Sequence, residues 1–171
     1  MTVPIERLAR AIHLFYASRD FLLSWDILEA HAVVARATGP RIPFPVRSQP
    51  TCAALALELA LKSRLELEGT EAPRTHSATK LFARLSKGAQ DEIMATLKCD
   101  GAAMTRADLD AVLAEFEGTW EGWRYMHELG GSGATVRFAQ GNMRAVVLRV
   151  HQVLVGLRPD WVPWPGVIHD V

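Results

Sequence analysis

The sequence predicts an all-α protein, an up-and-down helical bundle of about six or seven helices with an irregular C-terminal tail rich in proline and tryptophan. Two observations predict it. Every stretch with hydrophobic periodicity repeats its apolar positions at the spacing of a helix, and none alternates as a half-buried strand does. The same stretches are punctuated as helices are, with Thr or Ser before them and Gly or Pro after them. About two-thirds of the residues are therefore expected to be helical.

Composition bounds this further. A chain of 171 residues, 49% apolar and 22% charged, is expected to form a single helical domain over 1–171 with a sizeable core. Within it, 1–39 is an N-terminal helical hairpin or long helix, 51–157 the core bundle and 158–171 the tail. Lys and Arg number 19 and so do Asp and Glu, so the zero net charge gives no strong pull toward nucleic acid or an anionic membrane. Fifteen of the cations are Arg and four are Lys, a bias that genome base composition explains more simply than phosphate binding. Cys52 and Cys99 stand at no metal or redox spacing, and MTVPIERLAR lacks the order of a signal peptide. A cytoplasmic location is expected, with no membrane span.

From Pro4 to Ala37, the positions Ile5, Leu8, Ile12, Phe15, Leu22, Ile27, Ala30 and Val34 keep a helical period. They form one long helix or two abutting ones, with any break near Ser18-Arg19-Asp20. Gly39-Pro40 is a stop, and PRIPFPVRSQP, with four prolines, is an extended connector. Thr51 is expected to cap the second helix, CAALALELALKSRLELE, which Gly69 ends and whose Ala and Leu content implies burial over most of its circumference. After the loop GTEAPRTH comes SATKLFARLSK, with Leu81, Phe82 and Leu85 inward and Gly88 as its stop, and then AQDEIMATLK and a turn at Cys99-Asp100-Gly101.

The stretch from Thr105 to Leu129 carries the clearest signals, and the bundle is expected to be organised around it. Thr105 with Asp108 approximates a capping box, and Gly130-Gly131 supply the stop. Leu109, Val112, Phe116, Trp120, Trp123 and His127 form its stripe, while Gly118 and Gly122 would admit a close neighbour. After GGSG, a final helix from about Thr135 to Leu157 turns Met143, Val146, Val147, Val150, Val153, Leu154 and Leu157 inward. Arg137, Arg144, His151 and Arg158 recur on it every seven residues as a polar stripe. Its many valines favour strands, but their spacing is that of a helix. Trp161 and Trp164 in the tail are expected to pack on the body or on a partner.

The search for chemistry excludes more than it finds. There is no phosphate-binding P-loop, no dinucleotide fingerprint, no HExxH and no GxSxG. The six histidines are scattered, so neither a metal nor a cofactor is expected. His76, at a helix start, suits a local hydrogen bond, and His127 a packed core position.

Three stretches, ALELALKSRLELEG, THSATKLFARL and FEGTWEGWRYMHE, resemble in that order the conserved stretches of HEPN domains, over about Thr51 to Glu128. HEPN domains are helical bundles that accompany nucleotidyltransferases, toxin-antitoxin systems and antiviral defence. The resemblance places Lys62 in the second helix, His76 at the start of the next, and Trp123, Arg124 and Tyr125 at the family's aromatic-Arg-Tyr element. In members that are metal-independent ribonucleases, an Arg and a His separated by about four to six residues work across a dimer interface, the Arg on the scissile phosphate and the His in proton transfer. Arg124 and His127 are too close for that pattern. Arg144 and His151 satisfy it, although a chain this rich in Arg produces such pairs by chance, Arg7 with His13 being another.

The resemblance implies a homodimer. The favoured expectation is a non-catalytic HEPN-like module that dimerises and binds a protein partner, nucleotide or RNA, in a prokaryotic stress or defence system. Its binding candidates are Arg124, Tyr125, His127, His76 and Lys62. The alternatives are a toxin-like, metal-independent ribonuclease using Arg144 and His151, and a structural or regulatory bundle outside the family. No DNA-binding motif is present.

Overall fold

The structure, a computed structural model, describes residues 3–38, 48–99, 102–124 and 140–161, and of residues 118–124 it describes the backbone alone. It is all-α. Among the described residues six helices follow one another: α1 (Ile5–Thr38), α2 (Ser48–Leu67), α3 (Ala78–Arg84), α4 (Lys87–Met94), α5 (Arg106–Arg124) and α6 (Gln140–Leu157). Between α4 and α5 a minimal antiparallel ladder pairs β1 (Lys98–Cys99) with β2 (Ala102–Ala103). No helix among the described residues is long and apolar enough to cross a membrane.

α1 is continuous through Ser18-Arg19-Asp20; Phe15 and Leu22 turn inward as expected, with Leu8 and Ile12 packed at the edge of the core, but the second half buries a different face from the one expected. Ala11, Phe15, Ser18, Leu22, Trp25 and Ala32 are buried, whereas Ile5, Ile27 and Val34 are exposed. From Ala11 to Trp25 the buried set steps alternately by four and three residues, and Ala32 follows after seven, the 3.5-residue repeat of a coiled-coil seam. The opposing face of α2 explains the choice, because Ala53, Ala56, Ala60 and Ser63 repeat in the same way and carry small side chains. Small side chains let the two backbones approach until a hydroxyl spans the gap. Ser63 Oγ donates to the Ala11 carbonyl at 2.8 Å, and Ser18 Oγ donates to the Ala56 carbonyl at 2.5 Å. Residues 11 and 18 on one helix meet 63 and 56 on the other, which fixes an antiparallel register, and Gln49 continues it by donating to the Glu29 carboxylate.

Helix α2 begins at Ser48 rather than behind a Thr51 cap, so Ser48-Gln49-Pro50 belong to the helix and not to the connector. Pro50 is tolerated because the first turn has no use for its missing N–H. Gly69, at φ +76°, ends α2 in a Schellman motif: Thr70 N–H reaches the Leu65 carbonyl and Gly69 N–H that of Glu66, both at 3.0 Å. Because α2 packs against α1, α3, α5 and α6, it is the central helix, the place the sequence had suggested for α5.

The short helices are defined by serines. Ser77 caps α3 by accepting from Lys80 N–H, and Ser86 caps α4 by accepting from Ala89 N–H. Gly88, expected to end α3, lies in the first turn of α4, and it is Leu85, in extended conformation, that breaks the chain out of α3. The other end of α4 is closed from α6, where Arg149 Nη2 donates to the Glu92 carbonyl at 2.7 Å and Nε to that of Ile93 at 3.2 Å.

Helix α5 opens with the capping box. Thr105 N–H donates to Asp108 Oδ2 at 2.9 Å, and Asp108 N–H returns a bond to Thr105 Oγ1 at 3.2 Å. Hydrogen bonds from the Thr105 side chain and backbone hold the Asp108 carboxyl below its ordinary range. Leu109, Val112 and Phe116 are buried as the stripe requires, together with Leu113. The extension to Leu129, its Gly130-Gly131 stop, the surroundings of Gly118 and Gly122 and the side chains of Trp120, Trp123 and His127 lie outside what the structure describes. α6 is a helix despite its valines, and Met143, Val146, Val147, Val150, Val153 and Leu154 are buried. Leu157, expected inward, is 42% exposed, because it stands at the last residue of the helix. Beyond it Trp161 folds back on the body, its ring 4.8 Å from that of Phe15, while Trp164 lies outside the described residues.

The alanine seam makes a clear expectation. Ala56→Leu places a branched side chain between α1 and α2 and should lower stability by about 1–3 kcal/mol. Leu157→Ala, at the exposed end of α6, should stay within about 0.5 kcal/mol of the parent. Urea unfolding measures both, and an Ala56→Leu variant as stable as the parent would mean that the two helices are not in close contact.

Candidate functional site

Arg144 and His151 share the face of α6 that meets α1, and each is engaged there by a different residue. Arg144 Nε lies 3.2 Å from Asp26 Oδ1, in a half-exposed ion pair. His151 is 1% exposed, with its Nε2 2.7 Å from Ser18 Oγ and its ring 5.2 Å from that of Phe15. The Ala56 carbonyl can only accept, so the Ser18 hydroxyl hydrogen is committed to it. Ser18 Oγ therefore accepts from His151, and Nε2 carries the hydrogen. Burial, helped by the positive charge of Arg19, pushes the His151 pKa down to about 4. The polar stripe of the last helix thus has one member in the core, while Arg137 lies outside the described residues. In the single chain the Arg and the His do not open onto a common cleft, since the imidazole is sealed and neutral.

Two other sequence candidates are brought together. Lys62 and His76 meet on Glu58 of α2, which the sequence reading passed over. Lys62 Nζ is 2.6 Å from Glu58 Oε1, and His76 Nδ1 is 2.9 Å from Glu58 Oε2. The side chains are graded in depth, 7% exposed for Glu58, 15% for Lys62 and 56% for His76. A carboxylate accepts only, so Nδ1 of His76 is the donor and Glu58 fixes both the tautomer and the orientation of the ring. The signal available in the sequence was the i,i+4 spacing of Glu58 and Lys62, which on a helix brings a carboxylate and an ammonium together.

The residue after His76 ties this corner to α5. Ser77 Oγ donates to Glu117 Oε1, and Thr79 N–H donates to the same oxygen at 3.2 Å. Burial raises the pKa of Glu117, but the bonds from Ser77 and Thr79 and the charge of Lys80 outweigh it, leaving the carboxyl below its usual range. Arg124 ends the described part of α5, with its side chain outside the description, and Tyr125 and His127 lie outside the described residues altogether. Among the described residues no three His, Cys, Asp or Glu side chains gather as metal ligands would. Neither a family model, nor a curated protein, nor a solved structure matches this chain.

His151 should make the fold acid-sensitive in a definable window. Its folded pKa lies below the ordinary value of 6.5, so the unfolded chain takes up the proton first. The stability that neutral His151 provides is complete above pH 6.5 and declines as the pH falls toward about 4. The total loss should be about 3 kcal/mol. His151→Gln, which retains a donor for Ser18 but does not titrate, should flatten the slope between about pH 6.5 and 5.5, above the range in which most carboxylates protonate. Equal slopes in the two proteins would show that His151 is not buried neutral.

Proposed function

We propose that the protein is a non-catalytic helical module of the HEPN type, which works by dimerising and binding a protein partner, nucleotide or RNA rather than by cutting RNA. The observation that carries this reading is the engagement of Arg144 and His151 in contacts with α1. A metal-independent ribonuclease needs a cation on the phosphate and a titrating group within reach of the reacting oxygens. Here the cation is paired with Asp26 and the imidazole is closed in the core. The zero net charge adds nothing to draw in a polyanion.

Association is supported by what the surface leaves open. The valine seam of α6 is buried within the chain and is not open to a partner. Apolar exposure is found instead on the second half of α1, at Ile27 and Val33. The likeness of ALELALKSRLELEG and THSATKLFARL to HEPN stretches supports the family assignment, and α2 and α3 hold those stretches in adjacent packed helices.

Purified protein incubated with single-stranded RNA in excess chelator should show no cleavage above background. Cleavage that persists in chelator and disappears in both Arg144→Ala and His151→Gln would replace the binding reading with the ribonuclease one. Multi-angle light scattering should give twice the chain mass, and a monomer at high micromolar concentration would remove the dimer.

A further inference from the structure

Even fully exposed cations on this chain find carboxylates close at hand, as Lys87 does with Asp91 and Arg106 with Asp110. The segment around α3 departs from that habit. Among the described side chains, Arg74, Lys80, Arg84 and Lys98 are the Lys and Arg that make neither a hydrogen bond nor an ion pair, and the first three fall within eleven residues. All four are exposed. No Asp or Glu occurs between residues 72 and 90. The carboxylates that reach this segment from other helices are engaged by other groups: Glu58 by the His76 ring, Glu117 by the Ser77 hydroxyl and Thr79 N–H, and Glu68 by the Ser86 N–H and hydroxyl. Glu117 is near enough for the charge of Lys80 to act on its carboxyl, but the two form no ion pair.

Lys80 and Arg84 stand four residues apart on the exposed side of α3, about 6 Å along its axis by the 1.5 Å rise. Thr79 and Ala83 repeat the same step beside them, small and exposed. We infer that this face docks an acidic helical segment of a protein partner, whose carboxylates one turn apart pair with Lys80 and Arg84 while Arg74, in the loop before α3, adds a third cation. Carboxylates at i and i+4 on a helix have the separation that the two cations have. Thr79 and Ala83 let such a helix come close, as the alanines of α2 do toward α1. What surrounds the face favours a peptide over a nucleic acid. Glu71 is exposed three residues before Arg74, Glu117 lies at the start of α3, and Asp91 is exposed one turn after Lys87. A nucleic acid carries charge at every nucleotide and would run from the patch onto these carboxylates. A peptide carries charge only where its sequence places it. Exposed ion pairs contribute little each, so the contact is weak and salt-dependent, and it sets the orientation and rate of association more than the strength. This docking rests on the binding reading above and selects a protein partner from it. Failure of that reading would be seen in RNA cleavage or in chain mass, neither of which the following assay measures.

The test is fluorescence anisotropy of the full chain at low salt with a fluorescein-labelled, alanine-rich helical peptide that carries Glu at every fourth position. The same peptide with Gln in place of Glu is the reference and should bind at least about tenfold more weakly. Lys80→Glu combined with Arg84→Glu, checked for folding by circular dichroism, should weaken binding of the Glu peptide by about tenfold or more. Lys80→Gln with Arg84→Gln, which removes charge without adding repulsion, should weaken it in the same direction. Lys98→Glu, an equally exposed and unpaired cation away from α3, should leave it within about twofold of the parent. Equal binding of the Glu and Gln peptides by the parent protein would overturn the inference, whatever the variants do. An equal loss in Lys98→Glu would overturn it too, because the attraction would then be general and not the property of one face. Tighter binding of single-stranded oligouridine than of the Glu peptide, lost in the same α3 variants, would assign the face to nucleic acid instead.

Discussion

Ser18 has one hydrogen to donate, and it goes to a main-chain carbonyl of α2, so its oxygen is left to accept from His151 on α6. Three helices are joined through that one buried hydroxyl. The arrangement depends on the closeness of α1 and α2, which in turn depends on alanines where a larger side chain would hold the backbones apart. Once α1 lies in the groove of α2, Asp26, about two turns on from Ser18, is placed to receive Arg144. The two contacts run in opposite order along α1 and α6, so they fix the direction of α6 as well as its position. A buried polar network of this kind is costly unless every member is satisfied, and here the serine is satisfied in both directions.

The second organising feature is the set of carboxylates on α2. Glu58 holds Lys62 and the His76 loop. Glu66, 2% exposed, accepts from Arg7 of α1 at 3.3 Å and from Ala72 N–H at 3.0 Å. Glu68 accepts from the Ser86 N–H and hydroxyl that begin α4. A charge removed from water needs partners, and each of these finds them on a segment that has to be positioned. The central helix therefore works through two chemistries, small side chains toward α1 and anchored carboxylates toward the loops.

Function is argued from how these groups are engaged. A His and an Arg at a suggestive spacing lose most of their meaning when one is a neutral core residue and the other is paired to a neighbouring helix. A Lys and a His that the sequence placed on separate segments gain meaning when a single carboxylate joins them. Desolvation separates the two histidines: burial holds His151 uncharged, whereas His76 keeps contact with solvent and is oriented from behind.

The sequence by itself determined the helical class, several helix ends and much of the core. Those are properties of local chemistry, as the capping box at Thr105, the positive φ at Gly69 and the inward faces of α5 and α6 show. It misjudged the start of α2 and the end of α3, where Pro50 and Gly88 read as breakers but sit in first turns that tolerate them, and it ran the helix of AQDEIMATLK on to Lys98, where α4 covers Lys87–Met94 and Lys98 pairs in β1. It also misjudged the buried face in the second half of α1, where Trp25 and Ala32 turn inward in place of Ile27 and Val34. Which polar side chains would be structural and which would be left to act was decided only by tertiary packing. Ser18 and His151 are separated by 133 positions in the chain, and Glu58 and His76 by 18. No local pattern encodes either meeting, since both follow from the depth at which α2 is buried and from the helices that close around it.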